Sequence, residues 1–189
     1  TLLLGVSPFS IAAGMDPQVG YDPLKDFVPV AKLVTAPLIF CVHADVPART
    51  LRELVEHAKT HPNKLSYGSA GPGTSAQIEL EVFKQATGAP ILEVPYKSTG
   101  QMMTDLLEGR IAIYTGVAPV VLPHIQSGKI RALAVVGPQR TPLMPSVPTM
   151  AEALGRSDYV ATPNWYGVLA PAGTPKDVVT PHRAVLRLT

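Results

Sequence analysis

Lys64-Leu-Ser-Tyr-Gly-Ser-Ala-Gly-Pro-Gly-Thr-Ser-Ala-Gln77 reads as a short strand (65–68), a glycine-punctuated loop and the first turn of a helix. Gly71 and Gly73 let the backbone turn tightly and approach a ligand closely. Thr74 or Ser75 is a natural N-cap, and Gln77 completes a T-x-x-Q capping box with Thr74. A loop of this kind leaves several backbone N–H groups and two hydroxyls aimed at one spot, on the positive end of a helix dipole. That suits a carboxylate or another small anion. An ordinary glycine turn with a conventional cap has the same letters, so the rest of the chain decides between the two readings.

Working outward, helix and strand patterns alternate. Upstream, Thr50-Leu-Arg-Glu53 is a capping box opening a helix with Leu51, Leu54, Val55 and Ala58 on one face, which stops near His61-Pro-Asn63. Residues 27–33 and 37–43 read as strands, and 1–4 as a buried strand followed by an irregular stretch to Tyr21-Asp-Pro23. Downstream, the helix from Ser75 carries Ile78, Val82, Phe83 and Ala86 and ends at Gly88, a good left-handed stop. A strand at 91–95, a helix at 101–108, a strand at 110–114, a helix at 119–127 and a strand at 130–136 follow. The joints Glu108-Gly-Arg-Ile111 and Ser127-Gly-Lys-Ile130 share one make-up: helix, glycine, basic residue, buried strand. This alternation predicts an α/β fold with a mostly parallel sheet and helices on its faces. In such sheets ligands bind beyond the carboxyl ends of the strands, where the 69–74 loop would sit. A short helix at 148–152, a strand at 165–170 and a last helical segment follow, and Pro181 is expected to kink or restart that last helix.

The chain has 189 residues, 46% apolar and 16% charged, enough to bury a sizeable core. Net charge is +2 with Lys and Arg scattered, so the basic stripe that nucleic acid requires is missing. The single cysteine, Cys41, excludes an internal disulfide and a CxxC metal site. Its place in Leu38-Ile-Phe-Cys-Val42 marks a buried structural thiol. No apolar run approaches the roughly 18 residues that span a bilayer. No signal peptide is visible, but both ends read as cut, so this does not argue for a cytoplasmic protein.

His57 and His61 stand one turn apart on a helix, yet no acidic residue follows His57, so the H-E-x-x-H mechanism is absent. They read as solvated helix histidines. His43, His124 and His182 have no Cys or carboxylate partners at suggestive spacing. Gly68-Ser-Ala-Gly71 resembles a nucleophile elbow, but G-x-S-x-G needs glycine where Tyr67 stands. A phosphate P-loop fails because Thr74 follows Gly73 where lysine is required. The residues offer no catalytic constellation and call for no cofactor or metal. Three segments instead suit a binding cleft. Beside the glycine loop, Pro95-Tyr-Lys-Ser-Thr99 follows a strand and precedes a helix, so Tyr96, Lys97 and Ser98 would meet an anion from a second side. Tyr114-Thr-Gly116 follows the next strand at the corresponding edge. Three polar loops on successive strand ends point to a shared pocket.

Several stretches together resemble the Bug family of extracytoplasmic solute receptors, the TctC-like binding components of tripartite tricarboxylate transporters. They are Tyr21-Asp-Pro-Leu-Lys-Asp-Phe27, the 67–74 loop, Val94-Pro-Tyr-Lys97, Pro123-His-Ile-Gln-Ser-Gly-Lys-Ile-Arg-Ala-Leu-Ala134 and Leu169-Ala-Pro-Ala-Gly-Thr-Pro175. The resemblance implies a type II periplasmic-binding-protein fold, with two α/β lobes joined by crossing strands and closing on a small carboxylated solute. The crossing strands would be 37–43 and 165–170. One lobe would be 44–163; the other, 1–43 with 164–189, would be incomplete, lacking the family's opening strand, its Pro-Gly-Gly loop and its final helices. Carried over by position, Ser69, Ala70, Gly71, Gly73 and Thr74 would take a ligand carboxylate through backbone amides and the Thr74 hydroxyl. Ser7, in the loop after the first strand, would contribute from the other lobe, and Tyr96, Lys97 and Ser98 would border the pocket. Amino-acid-binding members carry Asp near Tyr114–Gly116, suited to an ammonium; Thr115 in its place implies a ligand without a free amine.

The sequence reading is therefore a periplasmic, monomeric receptor for a small organic carboxylate that hands its cargo to membrane subunits of a tripartite transporter. One rival is the ligand-sensing effector domain of a transcriptional regulator, but no helix-turn-helix is visible. The other is an enzyme on the same scaffold, which would need a general base where the loops offer only Tyr, Lys, Ser and Thr.

Overall fold

The computed structural model describes residues 1–16, 18–162 and 164–186, the last five by backbone only. The chain divides into two compact units, Thr1–Ala36 with Pro163–Thr189, and Pro37–Thr162.

The second unit is organised by the apolar run that the sequence shows at 38–42. Strand β3 (Leu38–His43) lies inside a five-stranded sheet. Phe40 and Val42 join one cluster, with Leu51, Leu54 and Ala58 of helix α2 (Leu51–Thr60) and Leu80 and Phe83 of helix α3 (Ser75–Thr87). Ile39 and Cys41 join the other, with Met102 and Leu106 of helix α4 (Thr99–Leu107) and Val121 of helix α5 (Ala118–Gln126). Side chains alternate across a strand, so a strand buried on both faces must be apolar at every position. The remaining strands are β4 (Ser66–Ser69), β5 (Leu92–Pro95), β6 (Ile113–Val117) and β7 (Ile130–Val136), in the order β5-β4-β6-β3-β7. β4 runs parallel to β5 and β6, while β3 is antiparallel to β6 and β7. Four strands thus share a direction as expected, and one reversed strand lies among them. The stretch read as a crossing strand, 37–43, supplies β3, the fourth strand in the order of this sheet.

Local signals account for most boundaries. Thr50 caps α2 by accepting the Glu53 N–H at 3.2 Å, while the Glu53 carboxylate reaches back to the Arg49 N–H at 2.7 Å. Gly88 ends α3 in the left-handed region (φ 67). Gly109 and Gly128, the glycines of the two matching joints, adopt φ 72 and 73. The strand expected at 110–114 instead spans Ile113–Val117, because the Arg110 and Ile111 N–H groups first turn back onto the Asp105 carbonyl. A full capping box at Thr149 and Glu152 opens helix α6 (Met150–Leu154).

In the first unit, strands β1 (Leu3–Val6), β8 (Trp165–Pro171) and β2 (Phe27–Thr35) form an antiparallel sheet in the order β1-β8-β2. Among the described residues its core is small: Val30, Ala170 and Val179. β1 is not the buried strand expected, since Leu3 and Leu4 are exposed. Helix α1 (Ser7–Met15) occupies part of the stretch read as irregular, with Pro8 in its first turn, where a missing N–H costs nothing. Phe9 stacks on Tyr21 at 4.6 Å with Phe27 edge-on, and the Tyr21 hydroxyl donates to the Phe9 carbonyl at 2.7 Å, which fixes the loop after α1. Helix α7 (Lys176–Leu186) runs through Pro181 as one element rather than restarting there.

Candidate functional site

The parallel strands β5, β4 and β6 deliver three segments to one edge of the second unit's sheet. β4 ends at Ser69, whose register partner on β5 is Pro95, and the Tyr96 N–H donates to the Ser69 carbonyl at 2.8 Å. On the other side Tyr67 pairs with Ile113 of β6. Tyr67 and Ile113 belong to the cluster under α2 and α3, and alternation puts Ser69 and Thr115 on that same face. Thr115 lies within β6 and is buried, not in a loop after the strand as expected.

The glycine loop holds its shape with its own hydroxyls. Ser69 Oγ accepts from the Gly71 N–H at 3.1 Å. Thr74 Oγ1 donates to the Gly71 carbonyl at 3.1 Å and accepts from the Gln77 N–H at 3.3 Å. Thr74 is thus the N-cap of α3, and its hydroxyl is committed to the loop rather than left for a ligand. Gly71 and Gly73 adopt φ 108 and 81, a region costly for any residue with a Cβ. Only half of the T-x-x-Q box forms, and Gln77 Oε1 is left buried without a partner.

Two further oxygens are buried without a hydrogen-bond partner: Ser75 Oγ and Thr115 Oγ1. Ser75 opens α3, so its N–H and that of Ala76 have no acceptor within the helix. No acidic residue stands in that first turn. The positive end of α3 therefore carries free donors beside the unsatisfied Ser75 hydroxyl, and Thr115 adds a second one on the sheet face that α3 covers, an arrangement that suits an oxyanion. Sequence reasoning weighed Ser75 only as an alternative cap. The signal was present: of two adjacent hydroxyl residues at a helix start, one caps and the other is left over.

The second side of the site differs from the expectation. The Tyr96 hydroxyl donates to Asp105 Oδ2 at 2.7 Å, and Arg110 holds Asp105 Oδ1 at 2.7 Å. Burial and the Asp105 carboxylate push the Tyr96 phenol up to about 12. The Tyr96 hydroxyl and Arg110 in turn hold Asp105 below the usual carboxylate range. Tyr96 thus braces its loop against α4. Ser98 caps α4 by accepting the Gln101 N–H at 3.3 Å. Lys97 and Ala70 are exposed, and no acidic side chain pairs with Lys97 among the described residues. Ser7 belongs to the first unit, where it is the buried first residue of α1, not a loop residue. Its Oγ accepts the Trp165 N–H at 2.8 Å, tying α1 to β8.

Among the described residues no group of three or more His, Cys, Asp or Glu is arranged to hold a metal, and the His57 and His61 rings stack on each other at 4.5 Å. Burial pushes the Cys41 thiol far above its ordinary range, which keeps it unreactive. No described helix is long and apolar enough to cross a membrane.

Residues 1–188 match the family model described as tripartite tricarboxylate transporter family receptor, TctC. Protein BugT of Bordetella pertussis is 38% identical over 188 residues, 98% of this chain and 57% of BugT. A Rhodopseudomonas palustris protein solved with adipate is 34% identical, with a TM-score of 0.84 over 98% of this chain and 62% of that one. MatC of the same organism, solved with bound malate, is 28% identical, with a TM-score of 0.83 over 100% of this chain and 64% of that one. The chain thus spans about three-fifths of the length of these proteins, and its α/β architecture is theirs. A family model matched along essentially the whole sequence, together with this likeness, shows that the chain belongs to the TctC family of solute receptors.

Proposed function

We propose that this chain captures a small organic carboxylate at the carboxyl ends of β4, β5 and β6, as part of a periplasmic receptor serving a tripartite transporter. The observation that carries the reading is the buried, partnerless hydroxyl of Ser75 at the free N–H groups of α3, with a second, that of Thr115, on the sheet face that this helix covers. A carboxylate there would accept from the Ser75 and Ala76 amides and from both hydroxyls, and charge-assisted bonds of this kind are the strong ones. The 69–74 loop shapes the approach, Lys97 adds positive charge at its rim, and Ser98 borders it. Malate and adipate, bound by two related proteins, set the class of probe. With Thr115 neutral, no acid in the first turn of α3 and both Glu79 oxygens taken by Tyr159 and Thr162, no carboxylate is left to pair an ammonium, so hydroxy and plain dicarboxylates should outcompete aspartate. We further propose that the receptor acts as a monomer and presents its cargo to membrane subunits.

A thermal-shift screen against mono-, di- and tricarboxylates and their amino analogues tests this. An acid at 100 times its dissociation constant adds about 2.7 kcal/mol of stability. A selective upward shift with one carboxylate class is expected. No shift with any acid, or a preference for amine-bearing acids, contradicts the reading.

A further inference from the structure

Glu79 is the only fully buried carboxylate among the described residues. Its Oε1 accepts the Tyr159 hydroxyl at 2.6 Å and its Oε2 the Thr162 N–H at 2.7 Å, which ties α3 to the last residues of the second unit. No cation pairs with it among the described residues. Burial pushes its carboxyl above the ordinary range, and hydrogen bonds from Tyr159 and from the backbone and side chain of Thr162 oppose this only in part. Glu79 stands one turn after Ser75 on the same face of α3, about 6 Å along the axis. The helix terminus that would favour an incoming carboxylate also favours the Glu79 anion. Two like charges that close, away from water, disfavour each other.

Resting on the carboxylate reading above, we propose that anion capture at the start of α3 is coupled to proton uptake by Glu79. The proton comes from the buffer and adds to Oε1; no other covalent bond changes. The neutral acid keeps both contacts: its O–H donates to the Tyr159 oxygen, whose own proton swings aside, and Oε2 still accepts from Thr162. The tie between α3 and residues 159–162 therefore survives the protonation. The groups around Glu79 leave the role to it. Tyr159 is held protonated by burial and by the Glu79 charge. Arg156 is bonded to Asp158 and to the Ala86 carbonyl. Glu81 and Lys84 pair with each other beside Tyr67. β6 brings the uncharged Ile113 and Thr115, and α2 turns Leu51, Leu54 and Ala58 inward.

Calorimetric titration with malate and with adipate, repeated in buffers of different ionisation enthalpy, counts the protons exchanged per anion bound. The native chain should take up a fraction of a proton that Glu79→Gln does not, and this difference separates Glu79 from the five histidines. The native affinity should fall severalfold as pH rises through the Glu79 titration, since the anion binds best when Glu79 is neutral. Tyr159→Phe withdraws a donor that favours the carboxylate, so it should move the uptake window to higher pH; it also serves if Glu79→Gln does not fold. Equal proton counts in the native chain and Glu79→Gln, or an unmoved window in Tyr159→Phe, would overturn the coupling while leaving carboxylate binding intact. Absence of binding to the native chain would overturn the carboxylate reading, and the coupling with it.

Discussion

β3 of the second unit and β1 of the first are both short strands rich in branched apolar residues, and they end in opposite environments. Ile39, Phe40, Cys41 and Val42 of β3 are 0% exposed, whereas Leu3 and Leu4 of β1 are 38% and 61% exposed. β3 has a strand on either side and helices over both faces; among the described residues β1 pairs only with β8. An apolar run therefore specifies extended backbone, while burial depends on what the rest of the chain packs over it.

The largest test of this contrast pairs one residue from each strand. Phe40→Ala should cost about 3–5 kcal/mol in urea unfolding, because it empties a site against Phe83 that cannot collapse. Leu4→Ala should cost under about 1 kcal/mol, as a half-exposed side chain loses little. Equal losses would break the comparison.

Added volume sharpens it. A Cβ at Gly68 of β4 would run into Met102 Cγ and meet Ile111 Cδ1 at 2.8 Å, both in the packed core. Gly68→Ala should then cost about 1–3 kcal/mol. At Gly5 of β1 the nearest atom is Leu169 Cδ1 at 2.9 Å, on a half-buried side chain with room to turn. Gly5→Ala should cost less, and the reverse order would show that the first unit's sheet is the tighter one.

Smaller still is the cap of α6. Thr149→Ala removes one half of the capping box and should cost about 1 kcal/mol. α1 has no side-chain cap, so no substitution of its N-cap Val6 offers a matching loss.

The last contrast is in pH. Glu79 binds protons more readily folded than unfolded, so its contribution to stability is fullest below the ordinary value of 4.5 and declines as pH rises through its raised folded value. Glu79→Gln should gain in melting temperature relative to the native chain across that window. A flat or falling difference would mean that burial does not dominate at this residue.

What the sequence made legible follows from what is local. The caps at Thr50 and Thr74, the left-handed glycines at 88, 109 and 128, and the α/β alternation are all decided within a few residues, and the structure has them. The reversed direction of β3 was not legible, because alternation fixes faces but not polarity. The displaced start of β6 depends on the Asp105 carbonyl, which holds Arg110 and Ile111 out of the sheet. α1 went unread although Pro8 marks its first turn. At the candidate site the loop and its three strand ends were readable, but not the distribution of hydroxyls. Thr74 and Tyr96 carry suitable chemistry, yet the structure engages them with Gly71 and Asp105 and leaves Ser75 and Thr115 unpartnered. Glu79 escaped notice because a lone glutamate on a helix is ordinarily solvated.

The central claim is that the partnerless hydroxyls at the start of α3 and in β6 exist for a ligand. Thr115→Val tests it most directly, with unfolding and malate or adipate titration measured on the same preparation. The variant removes a buried unsatisfied group at nearly constant shape, so the ligand-free chain should be as stable as the native one or more so. The anion affinity should fall about tenfold or more, the worth of a hydrogen bond to a charged group. A less stable variant that binds as well as the native chain would contradict the account, by showing that the Thr115 hydroxyl serves the fold and not the ligand.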